Sequence, residues 1–248
     1  MADTFILLRG LGRGQHHWMG FAERLAAACP EARVVCLDLP GNGERWAETS
    51  PLSLEETALG LHRECQRRDL QPPFRVIGLS MGGMVGLAWL GLQPKAIAEL
   101  VMINSSLASV SPFYQRMLPR AFLRLLPGLF NPVWRERAVL AVTCNLRRRD
   151  VAMLSEWQAI ARKQPVSRRN LLRQLVAAAR FQPAAPLPGA NIRLIASHAD
   201  RLVDVRCSET LAARWQLPLA LHDHAGHDLP VEDPDWLIHS LLEPRGLM

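Results

Sequence analysis

The feature that most constrains the fold of this chain is a serine between two glycines, in the segment Gly78-Leu79-Ser80-Met81-Gly82. It follows the apolar run at residues 74–77 and precedes the glycine-rich apolar stretch at residues 81–87. Glycines two residues before and after the serine allow a sharp turn from strand to helix, because a side chain there would collide with neighbouring backbone. The segment therefore predicts a buried strand, a tight turn that presents Ser80, and a helix.

Further short apolar runs alternate with longer amphipathic stretches along most of the chain, which is typical of βα units around a parallel sheet. Ser53 and Glu56 form a capping pattern that predicts the start of one of the helices. At 248 residues, such a sheet forms a single domain. The predicted strands are Thr4 to Arg9, Arg33 to Leu37, Phe74 to Leu79, Glu99 to Asn104, Ile192 to Ser197 and Leu217 to His222.

The alternation stops after Asn104, where about eighty residues show helical periodicity and no convincing strand. Clear helical patterns run from Val151 to Lys163 and from Arg169 to Phe181, and a proline-rich stretch at residues 183–189 returns the chain to the sheet. An insertion far longer than an ordinary βα connection should form a structure of its own. We predict a core of residues 1–106 and 191–248, and a helical cap with its return linker at residues 107–190.

The positive charge of the chain is concentrated in this cap. The net charge is +6, but residues 107–190 hold fourteen Lys and Arg against three Asp and Glu, a local charge of +11, which leaves −5 for the remainder. The basic segment has no recognised nucleic-acid-binding module, so nucleic acid is disfavoured as a partner. The cap predicts an anionic substrate or an acidic carrier, although arginines on helices are most often a solvated face.

Several classes of protein are disfavoured by composition. No stretch has the roughly 18 uninterrupted apolar residues of a spanning helix, and the first residues lack the basic character of a signal peptide. The five cysteines are odd in number and never form a Cys-x-x-Cys pair, so we expect reduced thiols in the cytoplasm. No group of His, Cys and Asp has convincing metal-ligand spacing, so no metal site is predicted.

Ser80 needs a base and an orienting carboxylate to act as a nucleophile, because a serine hydroxyl is weakly nucleophilic at neutral pH. We assign the base to His227, just after the last predicted strand, and the carboxylate to Asp200, after the preceding strand. Asp204 is an alternative acid. His222 and His224 are alternative bases, although His222 falls within the predicted strand and His224 lacks a preceding glycine.

An oxyanion that forms during acyl transfer requires donors already aimed at it, which backbone N–H groups supply. The amides of Met81, at the predicted helix start, and Leu11, after the first strand, fit this role. His17 and Trp18 follow the same loop and are candidates for substrate binding, with core packing as the alternative. No cofactor is required for this chemistry.

These features resemble the α/β-hydrolase superfamily over nearly the whole chain, and within it the capped branch that includes pimeloyl-acyl-carrier-protein methyl ester esterases. Ser80, Asp200 and His227 follow the family order Ser, Asp, His, and the segment at residues 38–43 is similar to the family's Asp-x-Pro-Gly-x-Gly loop. Two departures stand out. Arg9 replaces the family's histidine before Gly10. The chain is also expected to lack the two leading family strands and to form about six mostly parallel strands.

The resemblance implies a serine carboxylesterase. A thioesterase or lyase that uses the same triad, and a non-catalytic binding protein on the same fold, are the alternatives, because fold does not determine reaction. The substrate is expected to be a small-molecule or carrier-bound acyl compound. An acyl group on an acyl carrier protein or coenzyme A would suit the basic cap.

Overall fold

A six-stranded sheet forms the centre of the protein, in a computed structural model that describes residues 3–129, 131–185 and 189–243. The strands lie in the order β2-β1-β3-β4-β5-β6, and every neighbouring pair is parallel, so the predicted mostly parallel sheet is confirmed. The bounds are β1 Thr4–Leu8, β2 Arg33–Leu37, β3 Phe74–Leu79, β4 Ile97–Ile103, β5 Ile192–Ser197 and β6 Leu219–His222. All six predicted strands are present, with ends that differ by no more than two residues.

The helices confirm most of the sequence pattern and correct one part of it. The helical spacing of Phe21, Leu25 and Ala28 predicts a helix within the segment from Trp18 to Cys29. The structure instead has a 3₁₀ turn at Gln15–Trp18, which is separated from the first α-helix by Met19 and Gly20, both at positive φ. The helical bounds are α1 Phe21–Ala28, α2 Leu54–Arg67, α3 Met81–Leu92, α4 Phe113–Arg116, α5 Pro119–Leu125, α6 Pro132–Thr143, α7 Val151–Lys163, α8 Arg168–Arg180, α9 Arg206–Trp215, α10 Leu229–Glu232 and α11 Pro234–Leu242.

Side chains alternate between the two faces of each central strand, and helices cover both faces. Ile6 and Leu8 of β1 pack into the cluster that contains α2 and α3, whereas Phe5 and Leu7 pack into the cluster that contains α1 and α11. The near-continuous apolar runs follow from this burial on both faces. The capping prediction is also confirmed, because Ser53 Oγ accepts the amide of Glu56 at the start of α2.

Between β4 and β5, the described residues (104–129, 131–185 and 189–191) form helices and loops without a strand. Helices α4 to α8 lie in this part of the chain, which we call the cap, keeping the predicted range 107–190. The bounds of core and cap as separate units remain a prediction. Among the described helices, none combines the length and apolar character needed to cross a membrane.

Two polar side chains of α8 attach the cap to the core. Asn170 accepts the amide of Ser50 at 3.0 Å and donates to the carbonyl of Glu48 at 2.8 Å. Gln174 accepts the amide of Gly12 at 3.0 Å and donates to Asn42 Oδ1 at 2.8 Å. Because Gly12 follows β1, this contact joins the cap directly to the loop at the carboxyl end of the sheet.

Candidate active site

Ser80 lies at the carboxyl end of β3 in a strained turn. Its φ of 55° and ψ of −119° lie outside the regions that serine ordinarily adopts, and such strain costs about 1–3 kcal/mol. A Cβ at Gly78 would lie 2.4 Å from Gly82 C, and a Cβ at Gly82 would lie 2.2 Å from Leu8 O. The glycines are therefore needed for close backbone approach, which is the reason that the sequence pattern suggested.

His227 and Asp200 are brought together by the loops after β6 and β5. His227 Nδ1 lies 2.7 Å from Asp200 Oδ2, with both side chains buried. The other Asp200 oxygen accepts the amides of Leu202 at 2.7 Å and Val203 at 3.0 Å. The carboxylate is thereby fixed on both oxygens, and the histidine ring is held by its Nδ1 edge.

The alternative acid and bases are engaged elsewhere. Asp204 pairs with the Arg206 guanidinium, and this contact lowers the pKa of the Asp204 carboxyl below its ordinary value. His222 Nε2 lies 3.1 Å from Asp233 Oδ2, and its Nδ1 accepts the amide of Ala225 at 2.9 Å. His224 is exposed. These contacts favour Asp200 and His227 over their competitors.

Both proposed oxyanion donors lie beside the serine. Met81 is the first residue of α3, and amides in the first turn have no acceptor within their own helix. Leu11 lies in the loop after β1 and lines the same cavity as Ser80. Gly10 allows this loop to approach, since a Cβ there would lie 3.1 Å from Ser80 Cβ.

Asn104, which sequence analysis did not select, joins the loops of the acid and the base. Its Nδ2 donates to the carbonyl of His227 at 2.9 Å, and its Oδ1 accepts the amide of Ser197 at 2.8 Å. Asn104 follows β4 with a φ of 45°, a conformation that asparagine tolerates better than most residues. An asparagine as the last residue of a predicted strand was the only sequence signal for this role.

Arg9 and Asp228 form a buried ion pair next to the candidate catalytic residues. The guanidinium donates to both Asp228 oxygens, at 2.8 and 2.7 Å, and the two side chains are 3% and 4% exposed. The Arg9 guanidinium also lies 5.0 Å from the centre of the Trp18 ring. Arg9, the departure from the family's histidine, thus attaches the start of the oxyanion loop to the residue that follows His227.

Ser80 and His227 line a cavity of about 190 Å³ between the sheet and the cap. Most of its wall is apolar and comes from both parts of the chain, including Leu11, Leu79, Val139, Val142, Leu171 and Leu175. A polar reacting centre beside an apolar chamber suits a substrate with an apolar segment next to its reactive group.

His17 and Trp18 are not among the residues that line this cavity. Both are buried, His17 against Trp157 and Trp18 against Phe21. Burial, with Arg13 and Arg9 nearby, lowers the pKa of His17 well below its ordinary value, so its ring is neutral near pH 7. These contacts favour core packing for both residues, the alternative that the sequence left open. Within the described residues, no group of His, Cys, Asp and Glu is arranged to hold a metal ion.

The sequence profile of the alpha/beta hydrolase family matches residues 5–239. The chain therefore belongs to the α/β-hydrolase family, and the predicted fold and family resemblance are confirmed.

Three relatives indicate the range of activities in this part of the family. A 2-hydroxy-6-oxononadienedioate/2-hydroxy-6-oxononatrienedioate hydrolase of Pseudomonas putida is 26% identical over 52% of this chain and 45% of its own length. The RutD protein of Cronobacter turicensis, named as a carbamate hydrolase, is 26% identical over 85% of this chain and 78% of its own. A pimeloyl-[acyl-carrier protein] methyl ester esterase of Aeromonas salmonicida is 29% identical over 62% and 60%. The match thus spans less than half of the first relative.

Among solved structures, a thermophilic esterase from Thermogutta terrifontis superposes with a TM-score of 0.77 at 19% identity, covering 96% of this chain and 88% of that one. This similarity supports the fold. The comparisons together support a hydrolase.

Proposed function

We propose that this protein is a serine hydrolase that cleaves carboxylic esters through an acyl-enzyme, with Ser80 as nucleophile, His227 as base and Asp200 as the residue that orients it. The observation that carries the proposal is the arrangement at one cavity of a strained serine and a histidine whose Nδ1 lies 2.7 Å from a buried carboxylate. Relatives named as ester and carbamate hydrolases support this class of reaction.

In the first half of the reaction, Ser80 Oγ attacks the ester carbonyl carbon while His227 Nε2 takes the hydroxyl proton. The carbonyl oxygen becomes an oxyanion that accepts hydrogen bonds from the amides of Leu11 and Met81. The C–O bond to the alcohol then breaks, and the alcohol leaves with the proton from His227. In the second half, His227 takes a proton from water, the hydroxide attacks the acyl carbon, and Ser80 leaves as its protonated hydroxyl.

The test is labelling with a fluorophosphonate probe, together with turnover of short acyl esters. We expect Ser80→Ala to abolish both labelling and turnover, whereas Ser155→Ala, at an exposed serine of α7, retains both. Unfolding curves check that both variants fold. Full activity in Ser80→Ala would refute the assignment of the nucleophile, and absence of labelling in the wild-type protein would favour the non-catalytic binding protein.

We further propose that the basic cap attracts an anionic substrate, with an acyl group on an acyl carrier protein or coenzyme A as the form that it suits. Exposed arginines of the cap include Arg148, Arg149 and Arg169, and one relative is named as acting on an acyl-carrier-protein ester. Attraction between exposed charges is screened by salt. We expect kcat/KM for a coenzyme A thioester to fall as salt rises, and a constant value would contradict this part of the proposal.

The thiols suit the reducing compartment expected from the sequence, and we propose a cytoplasmic location. All five cysteines are free, and burial raises the pKa of the Cys36 and Cys65 thiols to about 12. Such thiols are weakly reactive toward oxidants at neutral pH. Fractionation of the source cells with antibody detection tests the location, and recovery outside the cytoplasm would contradict it.

A further inference from the structure

The apolar cavity has one group of charges that the proposed acyl-transfer mechanism does not use. Arg9 and Asp228 compensate each other through two hydrogen bonds. The other charged residues of the wall are Arg13, Arg135 and Glu136. Two guanidinium groups therefore share one carboxylate, and this side of the cavity carries an excess of one positive charge. An excess buried charge is unfavourable unless a counter-charge reaches it.

Arg13 has the least satisfied side chain of this group. It is 7% exposed, and within the described part of the chain only the Nη1 atom of its guanidinium is paired, with Glu136 Oε2. Its Nε and Nη2 are buried and have no hydrogen-bond partner among the described residues. The guanidinium plane is held by the Trp157 ring, whose centre lies 4.0 Å away. Buried donors are nearly always paired, so two open donors on a fixed guanidinium indicate a missing acceptor.

Arg135 approaches the same carboxylate from α6. Its Nε lies 3.7 Å from Glu136 Oε1, and its Nη1 donates to the carbonyl of Val166 at 3.2 Å. Burial lowers the pKa of its guanidinium, against a smaller opposing effect of Glu136. This direction indicates that the positive charge of Arg135 is only partly compensated.

We propose that Arg13 and Arg135 bind a carboxylate of the substrate, so that the preferred ester carries a second, ionised carboxyl group beyond an apolar spacer. The proposal rests on the esterase function proposed above and specifies its substrate class. An excess of one positive charge matches a monoanion, and a guanidinium fork matches carboxylate geometry. Arg13, Arg135 and Ser80 line one cavity whose wall is mostly apolar, which suits a methylene spacer. The carboxylate can belong to either the acyl part or the alcohol part.

Two matched pairs of substrates distinguish these sources. In the acyl pair, methyl hydrogen hexanedioate is compared with methyl 6-amino-6-oxohexanoate. In the alcohol pair, 4-(butanoyloxy)butanoate is compared with 4-(butanoyloxy)butanamide. The measured quantity is the ratio of kcat/KM for the acid to that for the amide, which is unaffected by a general loss of activity. We expect a ratio of about ten to a hundred in at least one pair, which is the size of effect that charge-assisted hydrogen bonds produce. The difference should arise mainly from a lower KM for the acid.

The variants separate a buried contact from attraction by the cap as a whole. We expect Arg13→Met to reduce the ratio at least about tenfold. Arg135→Met should also reduce it, and provides a second route if Arg13→Met does not fold. Glu136→Gln removes the compensating charge and should raise the ratio. The comparison variant Arg148→Met, at an exposed arginine of the cap, should lower the ratio by about twofold or less, because water and salt screen an exposed charge. The preference for the acid over the amide should persist at about 0.5 M salt, a concentration that strongly screens exposed charges.

A wild-type ratio of one or less in both pairs would overturn the inference, as would a ratio that Arg13→Met leaves unchanged or that Arg148→Met reduces equally. If the contact of Arg13 with Glu136 serves only to hold the cap on the core, Glu136→Gln should lower stability without raising the ratio, and this result would also overturn the inference. Calorimetric binding of methyl hydrogen hexanedioate to Ser80→Ala is a readout independent of turnover. Binding without hydrolysis by the wild-type protein would retain the carboxylate site and reject the esterase, whereas hydrolysis of both amides at the rate of the acids would do the reverse.

Discussion

The Arg9–Asp228 pair offers a sharp test of how the site is held together. It forms two hydrogen bonds of 2.8 and 2.7 Å, with side chains 3% and 4% exposed. Removing one partner of such a pair leaves a buried charge without compensation, at a cost of about 3–5 kcal/mol. We therefore expect Arg9→Met and Asp228→Asn each to lower the free energy of unfolding by about that amount.

The double variant should cost about as much as one single variant, because the second substitution removes the charge that the first left unpaired. The coupling energy of the cycle is then about 3 kcal/mol. The assay is urea unfolding followed by tryptophan fluorescence and far-ultraviolet circular dichroism, with coincident transitions required.

The exposed pair Arg24–Asp235 is the matched control, since its side chains are 49% and 76% exposed. Arg24→Met should change the free energy of unfolding by about 0.5 kcal/mol or less. Additive effects of Arg9→Met and Asp228→Asn, or single effects as small as the control, would refute the reasoning from burial and bidentate geometry.

Three further predictions concern the surroundings of the site. Asn104→Leu removes the hydrogen bonds that position the His227 loop, and should lower kcat for a short acyl ester by about ten- to hundredfold while the protein stays folded; an unchanged kcat would contradict this role. The folded pKa of His17 lies below its unfolded value of about 6.5, so its contribution to stability is present above pH 6.5 and is lost as pH falls toward the folded pKa. Urea unfolding at pH 7.5 and 5.5 should show a loss about 1 kcal/mol smaller in His17→Asn than in the wild type, and equal losses would be evidence against it. Gln174→Leu leaves the Gly12 amide without its acceptor and should cost about 1–3 kcal/mol of stability, measured by the same unfolding, whereas a cost near zero would mean that water replaces the contact.

The sheet and the serine turn could be predicted because their signals are local. Each strand is a short apolar run between turn residues, and the steric demand on Gly78 and Gly82 arises within a five-residue segment. Asp200 and His227 were selected because they follow the last two predicted strands and complete the order Ser, Asp, His along the chain. The structure brings these two residues within hydrogen-bonding distance. A sequence pattern predicts structure well where the residues that decide between alternative structures lie within a few positions of one another.

The supporting contacts could not be predicted, because each joins residues far apart in the chain. Arg9 and Asp228 are separated by 219 positions, and Arg13 and Glu136 by 123. Charged residues are most often exposed, so nothing in the sequence indicates that Arg9 and Arg13 are buried. The break at Met19 and Gly20 was missed for a different reason, since the helical periodicity continues across two residues whose positive φ separates the turn from α1.

The loop at residues 10–14 connects the reacting centre to the cap through adjacent backbone. The Gly12 amide is bound by Gln174 of α8, and the Arg13 guanidinium is bound by Glu136 of α6. Leu11, whose amide is the proposed oxyanion donor, directly precedes Gly12 and lies two positions before Arg13. Because a backbone donor must be aimed before the oxyanion forms, a cap that holds Gly12 and Arg13 also helps to aim the Leu11 amide. The residues proposed to select the substrate and the group proposed to stabilise its oxyanion therefore belong to one loop, so a carboxylate bound by Arg13 would strengthen the same arrangement that turnover needs.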